Sequence, residues 1–204
     1  MTSESESTPG SDLRGYEVLV CVCGGIAAFK VCHVVSDLVQ RGAGVTVAMT
    51  DAATRFIGPL TFQSLSGRAV LTSLWQSEHA HDAQHIHVTE RADLLLIAPA
   101  TANIIGKIAS GVADELVSTL AISAASPVVL AAAMNPRMWT NPIVEENVAK
   151  LKKHGFTVLE PTEGWLACRS VGRGRMVEAE QILDTVTSML ATHAPKTGTK
   201  ENEE

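Results

Sequence analysis

The apolar pattern of residues 16–49 leaves this chain few folds to choose from. Residues 16–23 (YEVLVCVC) form an apolar run broken only by Glu17, as expected for a parallel strand covered on both faces. Gly24 and Gly25 end it, and residues 26–41 then carry apolar side chains at helical spacing (Ile26, Phe29, Val34, Leu38). Gly42 and Gly44 bracket the helix end, and residues 45–49 (VTVAM) repeat the strand pattern. Strand, glycine turn, helix and strand make a βαβ unit, so the first two strands run parallel.

The alternation continues along the chain. Helices are expected over 56–66, 85–91, 104–111, 115–124, 143–154 and 177–190, and strands over 69–71, 93–98, 128–132 and 156–159. Residues 99–103 (PATAN) read as a turn. Residues 161–175 hold Pro161, Gly164, Gly172 and Gly174 without periodicity, and read as a long flexible flap. No internal repeat is apparent. The predicted fold is α/β, a three-layer sandwich around a mainly parallel, Rossmann-like (flavodoxin-like) sheet. One domain over 15–192 is expected, after a Ser/Thr/Glu-rich disordered lead (1–14) and before a polar tail (193–204).

Composition narrows the classes of function. Apolar residues make up 46% of the chain and charged residues 19%, a globular balance. The net charge of −6 and the absence of a basic run argue against a nucleic-acid surface. The first residues lack the order of a signal peptide, and no apolar run has the ~18 residues of a membrane span. Cys21, Cys23, Cys32 and Cys168 form neither a disulfide framework nor a C-x-x-C pair, so reduced thiols and a cytoplasmic protein are expected.

Sheets of this kind bind ligands beyond the carboxyl ends of their strands. Four informative loops fall there: Gly24 with Gly25, Thr50 with Asp51, residues 99–103, and residues 131–135. The first places glycines between strand and helix, where backbone N–H groups suit a phosphate. It matches neither G-x-G-x-x-G nor a Walker A, and a plain tight turn explains it equally. Thr101 and Asn103 offer a hydroxyl and an amide, or simply cap the next helix. Asn135 can donate and accept together, Pro136 stops the strand, and Met138 with Trp139 supply an apolar wall; an Asn-Pro turn over core methionines is the plainer reading.

Histidines cluster at His79, His81, His85 and His87. His81 and His85 are helix neighbours if the helix reaches that far, but only Glu78 and Asp82 lie nearby to complete a ligand set, so no metal is expected. His85 differs in starting a short helix, whose positive end favours a neutral imidazole, a usable base. Cys168 sits in the glycine-containing flap, where it can exchange a proton with a bound intermediate, or be an incidental surface thiol. Arg169, Arg173 and Arg175 can attract a phosphorylated substrate.

Taken in order, residues 24–30 (GGIAAFK), His85 with Ile86, residues 99–103, the A-M-N-x-x-M-W of 133–139 and the L-A-C of 166–168 resemble the homo-oligomeric flavin-containing cysteine decarboxylases, phosphopantothenoylcysteine decarboxylase of coenzyme A synthesis among them. The likeness spans about residues 16–190. It implies FMN as cofactor, trimers or larger assemblies of trimers, and a small phosphorylated cysteine conjugate as substrate. It also implies roles: His85 as the base, Asn135 holding the substrate carboxylate, and Cys168 supplying a proton. Gly25, Ile26, Thr50, Phe62, Pro99, Ala100, Thr101, Asn103 and Met134 are implied to surround FMN. Asn135, Met138, Ala167 and Arg169 are implied to contact substrate.

The implied reaction converts 4′-phosphopantothenoylcysteine to 4′-phosphopantetheine. A cysteine carboxylate has no electron sink, so hydride transfer to the flavin first creates a thioaldehyde. Carbon dioxide then leaves an ene-thiolate, which hydride and a proton from Cys168 reduce.

Two departures stand out. Ala132 precedes Ala133, Met134 and Asn135 where the family often has Pro-Ala-Met-Asn, and Arg169 follows Cys168 where glycine is frequent. Bacterial relatives often carry a C-terminal synthetase, which here is expected on a separate polypeptide. The competing readings are a peptidyl-cysteine decarboxylase, a flavin prenyltransferase and a non-catalytic regulator of a phosphatase. The flap cysteine opposes the first, since an ene-thiol product needs no closing proton. The methionine–asparagine and cysteine motifs suit the second poorly, and retention of His85, Asn135 and Cys168 opposes the third.

Overall fold

A computed structural model describes residues 12–75 and 84–196. In chain order the elements are β1 (Glu17–Val22), α1 (Ala28–Gln40), β2 (Gly44–Met49), α2 (Asp51–Thr54), α3 (Pro59–Ser66), α4 (Gln84–Arg91), β3 (Leu94–Ala100), α5 (Ala102–Ser110) and α6 (Leu116–Ser123). There follow β4 (Val128–Ala132), α7 (Pro136–Trp139), α8 (Pro142–Lys153), β5 (Thr157–Leu159), β6 (Thr162–Trp165), β7 (Val171–Arg175) and α9 (Ala179–Leu190).

The main sheet is five-stranded and parallel, in the order β2-β1-β3-β4-β5. Its central strands need apolar side chains on both faces, and the sequence supplies them. Val18, Val20 and Val22 of β1 join Leu94 and Leu96 of β3 in one core, with α1 and α9. Leu19 and Cys21 join Leu95 and Ile97 in the other, with α5, α6 and α8. Each such fully buried leucine contributes about 1.5–3 kcal/mol, so register is held from both sides. This is the predicted three-layer α/β sandwich.

Several local expectations change. The 69–71 segment adds only a parallel bridge between Ala48 and Leu71. Strand β3 continues through Pro99 to Ala100, with a register shift after Ile97 and a cis Ala98–Pro99 bond, so the expected turn begins two residues late. The segment read as a long loop contains an antiparallel ribbon of β6 and β7. Both ribbon strands lie mostly exposed, which is why no core-facing periodicity marks them. Leu13, placed by the sequence in the lead, is buried and donates its N–H to the Arg41 carbonyl at 2.8 Å. Part of the expected tail also packs back: the N–H groups of Glu17 and Lys196 both donate to the fully buried Asp93 carboxylate. No helix among the described residues is long and apolar enough to cross a membrane.

Candidate functional site

Because the strands are parallel, their carboxyl ends share one edge, and the predicted loops meet there. At the end of β1 a Cβ on Gly24 would lie 2.5 Å from Ala52 Cβ and 2.9 Å from its carbonyl carbon. Only glycine lets α2 approach so closely. A Cβ on Gly25 would make ordinary contacts with Pro99 and Thr101, which places the β1 and β3 turns side by side. Helix α1 starts without a side-chain cap at Ala27. Among the described residues no backbone acceptor receives the N–H of Gly25, Ile26 or Ala27, which leaves these donors without a partner in the fold. Ile26 and Phe29 beside them are 59% and 51% exposed.

Two threonines anchor the neighbouring strand ends. Thr50 caps α2, its Oγ1 accepting from Ala53 N at 3.1 Å, and its N–H reaches the Val22 carbonyl. Thr101 caps α5 by accepting from Ile104 N at 3.4 Å, so the capping role weighed for it is real. Its hydroxyl has no acceptor among the described residues, and Asn103, two residues on, is exposed. Pro99 and Ala100 are buried behind them. Phe62 is fully buried in the core with α1 and offers no surface of its own at this edge.

Past β4 the chain turns sharply. Ala133 N–H donates to the Ala100 carbonyl, and Asn135 Oδ1 accepts from Arg137 N at 2.9 Å, starting the short helix α7. Trp139 is drawn into the core, leaving Met138 as the exposed part of the anticipated wall. Asn135 is left with its Nδ2 group free to face outward, and it meets Cys168 Sγ at 3.7 Å.

Cys168 is carried there by the ribbon. Leu166 N–H donates to the Ser170 carbonyl and Arg169 N–H to the Leu166 carbonyl, closing a tight tip that exposes Ala167, Cys168 and Arg169. Arg169 takes a φ of 61°, the left-handed region that favours glycine. Cys168 Sγ lies 3.1 Å from Ser170 Oγ, a neighbour that no sequence motif singles out.

The three flap arginines separate. Arg173 pairs with Glu160 and Arg175 with Glu178, whereas Arg169 makes no ion pair among the described residues. Glu178 also accepts from Lys30 Nζ at 2.8 Å, joining the ribbon's base to the helix behind the glycine turn. Lys30, with Arg175 adding to it, holds the Glu178 carboxyl below its ordinary value. Burial pushes the Cys21 and Cys23 thiols far up and raises that of Cys32, so these three are inert packing groups. Cys168 alone of the four is exposed.

His85 falls in the first turn of α4. His79 and His81 lie outside the described residues, and among those described no group of three metal-ligating side chains occurs. A cavity of about 300 Å³ is lined by Glu17, Arg68, His87 and Arg91 at the opposite edge of the sheet.

These features define an α/β protein with a candidate ligand site on the carboxyl edge of a parallel sheet. The flavoprotein family pattern matches residues 6–191, and the chain belongs to that family. It is 45% identical over 188 residues to the coenzyme A biosynthesis bifunctional protein CoaBC of Bacillus subtilis, covering 91% of this chain and 46% of that one. The chain therefore spans less than half the length of that relative. Among solved structures it resembles a PPC decarboxylase cysteine-to-serine mutant complexed with pantothenoylaminoethenethiol, with a TM-score of 0.79 and 30% identity over 87% of this chain and 100% of the other. The FMN-dependent cysteine decarboxylase SpaF gives a TM-score of 0.75 and 30% identity, over 86% and 97% of the two chains.

Proposed function

We propose that this chain is an FMN-dependent decarboxylase of 4′-phosphopantothenoylcysteine, forming 4′-phosphopantetheine in coenzyme A synthesis. The observation that carries the reading is the 3.7 Å approach of Asn135 and Cys168, brought together from β4 and the ribbon at the sheet's ligand-binding edge. The similarity to PPC decarboxylase and to CoaBC supports it.

The residues at that edge fit FMN. The unpaired N–H groups of residues 25–27 suit its phosphate, Thr101 and Asn103 its ribityl hydroxyls, and Ile26 and Met134 an apolar ring. When bound, FMN supplies reversible two-electron chemistry, taking a hydride from the substrate and returning it after carbon dioxide has gone. The chain's own groups do the rest. Asn135 Nδ2–H binds the substrate carboxylate, and Arg169 on the tip is the cation left unpaired for the phosphate. His85 removes a proton as the cysteine side chain is oxidised. Cys168 returns one to carbon in the closing step.

Ile26, Phe29, Phe56 and Leu60 are large apolar side chains, each 49–72% exposed. They support the further reading that copies assemble as trimers, a second copy covering the flavin. A cytoplasmic location accords with this function.

The test is mass spectrometry of FMN-loaded protein incubated anaerobically with 4′-phosphopantothenoylcysteine. Loss of carbon dioxide with no other mass change is expected. Loss of carbon dioxide plus two hydrogens would instead indicate an oxidative decarboxylase of the peptidyl-cysteine type, and no reaction with FMN bound would refute decarboxylation.

A further inference from the structure

We infer that Ser170 is a positioning residue for Cys168, and that its hydroxyl and the Asn135 amide together hold the sulfur through the closing proton transfer. The inference rests on the decarboxylase reading for its chemistry, but its geometry stands alone. Cys168 Sγ has two polar neighbours from different parts of the fold: Ser170 Oγ at 3.1 Å, two residues along the ribbon, and Asn135 Nδ2 at 3.7 Å, from the end of β4.

The donor pattern gives the pair a direction. Nδ2 of Asn135 can only donate, because Oδ1 is the atom engaged as acceptor by the Arg137 N–H. Between sulfur and Ser170 either atom can donate while the thiol is protonated. Once Cys168 has given its proton to a substrate carbon, the sulfur carries a negative charge and only the serine hydroxyl can donate. Two donors then converge on the thiolate.

Charge balance shows why this matters. Saturating the ene-thiol's double bond would need a hydride at one carbon, which bound reduced FMN would supply, and a proton at the other. The S–H bond breaks, a C–H bond forms, and the electron pair stays on sulfur until solvent reprotonates it. A hydroxyl that bonds the thiolate more strongly than the thiol lowers the barrier to that step. It also turns the sulfur toward Asn135, which the reading places at the substrate carboxylate. The ribbon tip is built for this spacing, since Leu166 N–H donates to the Ser170 carbonyl and fixes residue 170 opposite residue 166.

Two readouts on Ser170→Ala, with Ser170→Thr as the conservative control, test the proposal. In anaerobic turnover by the FMN-loaded enzyme, Ser170→Ala should lose carbon dioxide normally but accumulate ene-thiol, with the closing step slowed about 3–10-fold. Ser170→Thr should restore the saturated product. Independently of turnover, the purified folded protein is alkylated with iodoacetamide and Cys168 modification is followed by peptide mass across pH. Cys21 and Cys23 are buried and do not compete. Ser170→Ala should change the rate of Cys168 alkylation near neutral pH about threefold toward slower modification, because the sulfur has lost a hydrogen-bond donor. Unchanged alkylation and unchanged product in Ser170→Ala would overturn the role. If wild type releases no carbon dioxide, the decarboxylase reading fails, and the alkylation profile alone decides whether Ser170 governs the sulfur.

Discussion

Gly174 of the ribbon lies against the backbone of Met134. The Met134 N–H donates to the Gly174 carbonyl at 3.1 Å, and a Cβ on Gly174 would fall only 2.2 Å from the Met134 carbonyl oxygen. Two residues earlier, a Cβ on Gly172 would meet Pro136 Cγ at 2.8 Å. The ribbon is thus seated on the Met134–Asn135–Pro136 corner by two positions where only glycine fits. That seat sets the distance from Cys168 to Asn135.

Gly174→Ala should therefore unseat the ribbon while sparing the sheet, because the clash is with backbone and cannot be relieved by a rotamer change. Expected are faster amide exchange over residues 162–175, a stability lowered by about 1–3 kcal/mol, and loss of closing-step turnover. Amide exchange by mass spectrometry reads the first directly. Wild-type protection of the ribbon in the variant would contradict this account of the seat.

Much of the fold was legible because its strands announce themselves twice, once on each face. Val18, Val20 and Val22 feed one core and Leu19 and Cys21 the other, so the β1 run has no polar gap until its end. The loops that share the carboxyl edge were legible for the same reason, since strand ends coincide with glycine, threonine and asparagine. The ribbon was not, because β6 and β7 bury almost nothing and their glycines serve contact with another loop rather than a turn. Helices α2 and α7 are each a single four-residue turn, too short for periodicity, and only their caps Thr50 and Asn135 hinted at them. Phe62 shows the opposite limit: its residue type carried no sign that the side chain is fully buried in the core.

Arg169 offers a separable test of strain and charge. Its φ of 61° costs about 1 kcal/mol for a residue with a Cβ, so Arg169→Gly should leave stability unchanged or raise it by up to that amount. The charge acts on substrate instead. With 4′-phosphopantothenoylcysteine the KM of Arg169→Gly should rise several-fold at little cost in kcat, whereas Arg169→Lys, which keeps both the charge and the strain, should stay close to wild type. Equal KM values for all three proteins would remove Arg169 from the phosphate site.

The Lys30–Glu178–Arg175 link predicts an acid-sensitive base to the ribbon. Glu178 has its folded value depressed below 4.5, chiefly by the Lys30 hydrogen bond. Its stabilising contribution is therefore fully present above 4.5 and is lost as pH falls through the lower folded value. Between about pH 5 and pH 3 the wild-type melting temperature should fall more steeply than that of Glu178→Gln. Glu160, depressed mainly by Lys152 and then by Arg173, titrates in the same range in both proteins, so the difference between the two curves isolates Glu178. Parallel curves would show that the link carries no net stability.

His85 makes the strongest demand on the proposed chemistry. It stands in the first turn of α4, a separate element from the β4 corner and the ribbon that bring Asn135 and Cys168 together. On the proposed reading, oxidation of the substrate comes before the proton return assigned to Cys168, so a lesion at His85 should block everything downstream. His85→Asn is expected to bind FMN with an unchanged visible spectrum yet fail to bleach when substrate is added anaerobically, with the bleaching rate down by about 100-fold or more. Cys168→Ser should do the reverse, bleaching and releasing carbon dioxide but retaining the ene-thiol. Stopped-flow absorbance of the two variants side by side separates the first half of the reaction from the second. Bleaching of His85→Asn at the wild-type rate would place the base elsewhere on the site.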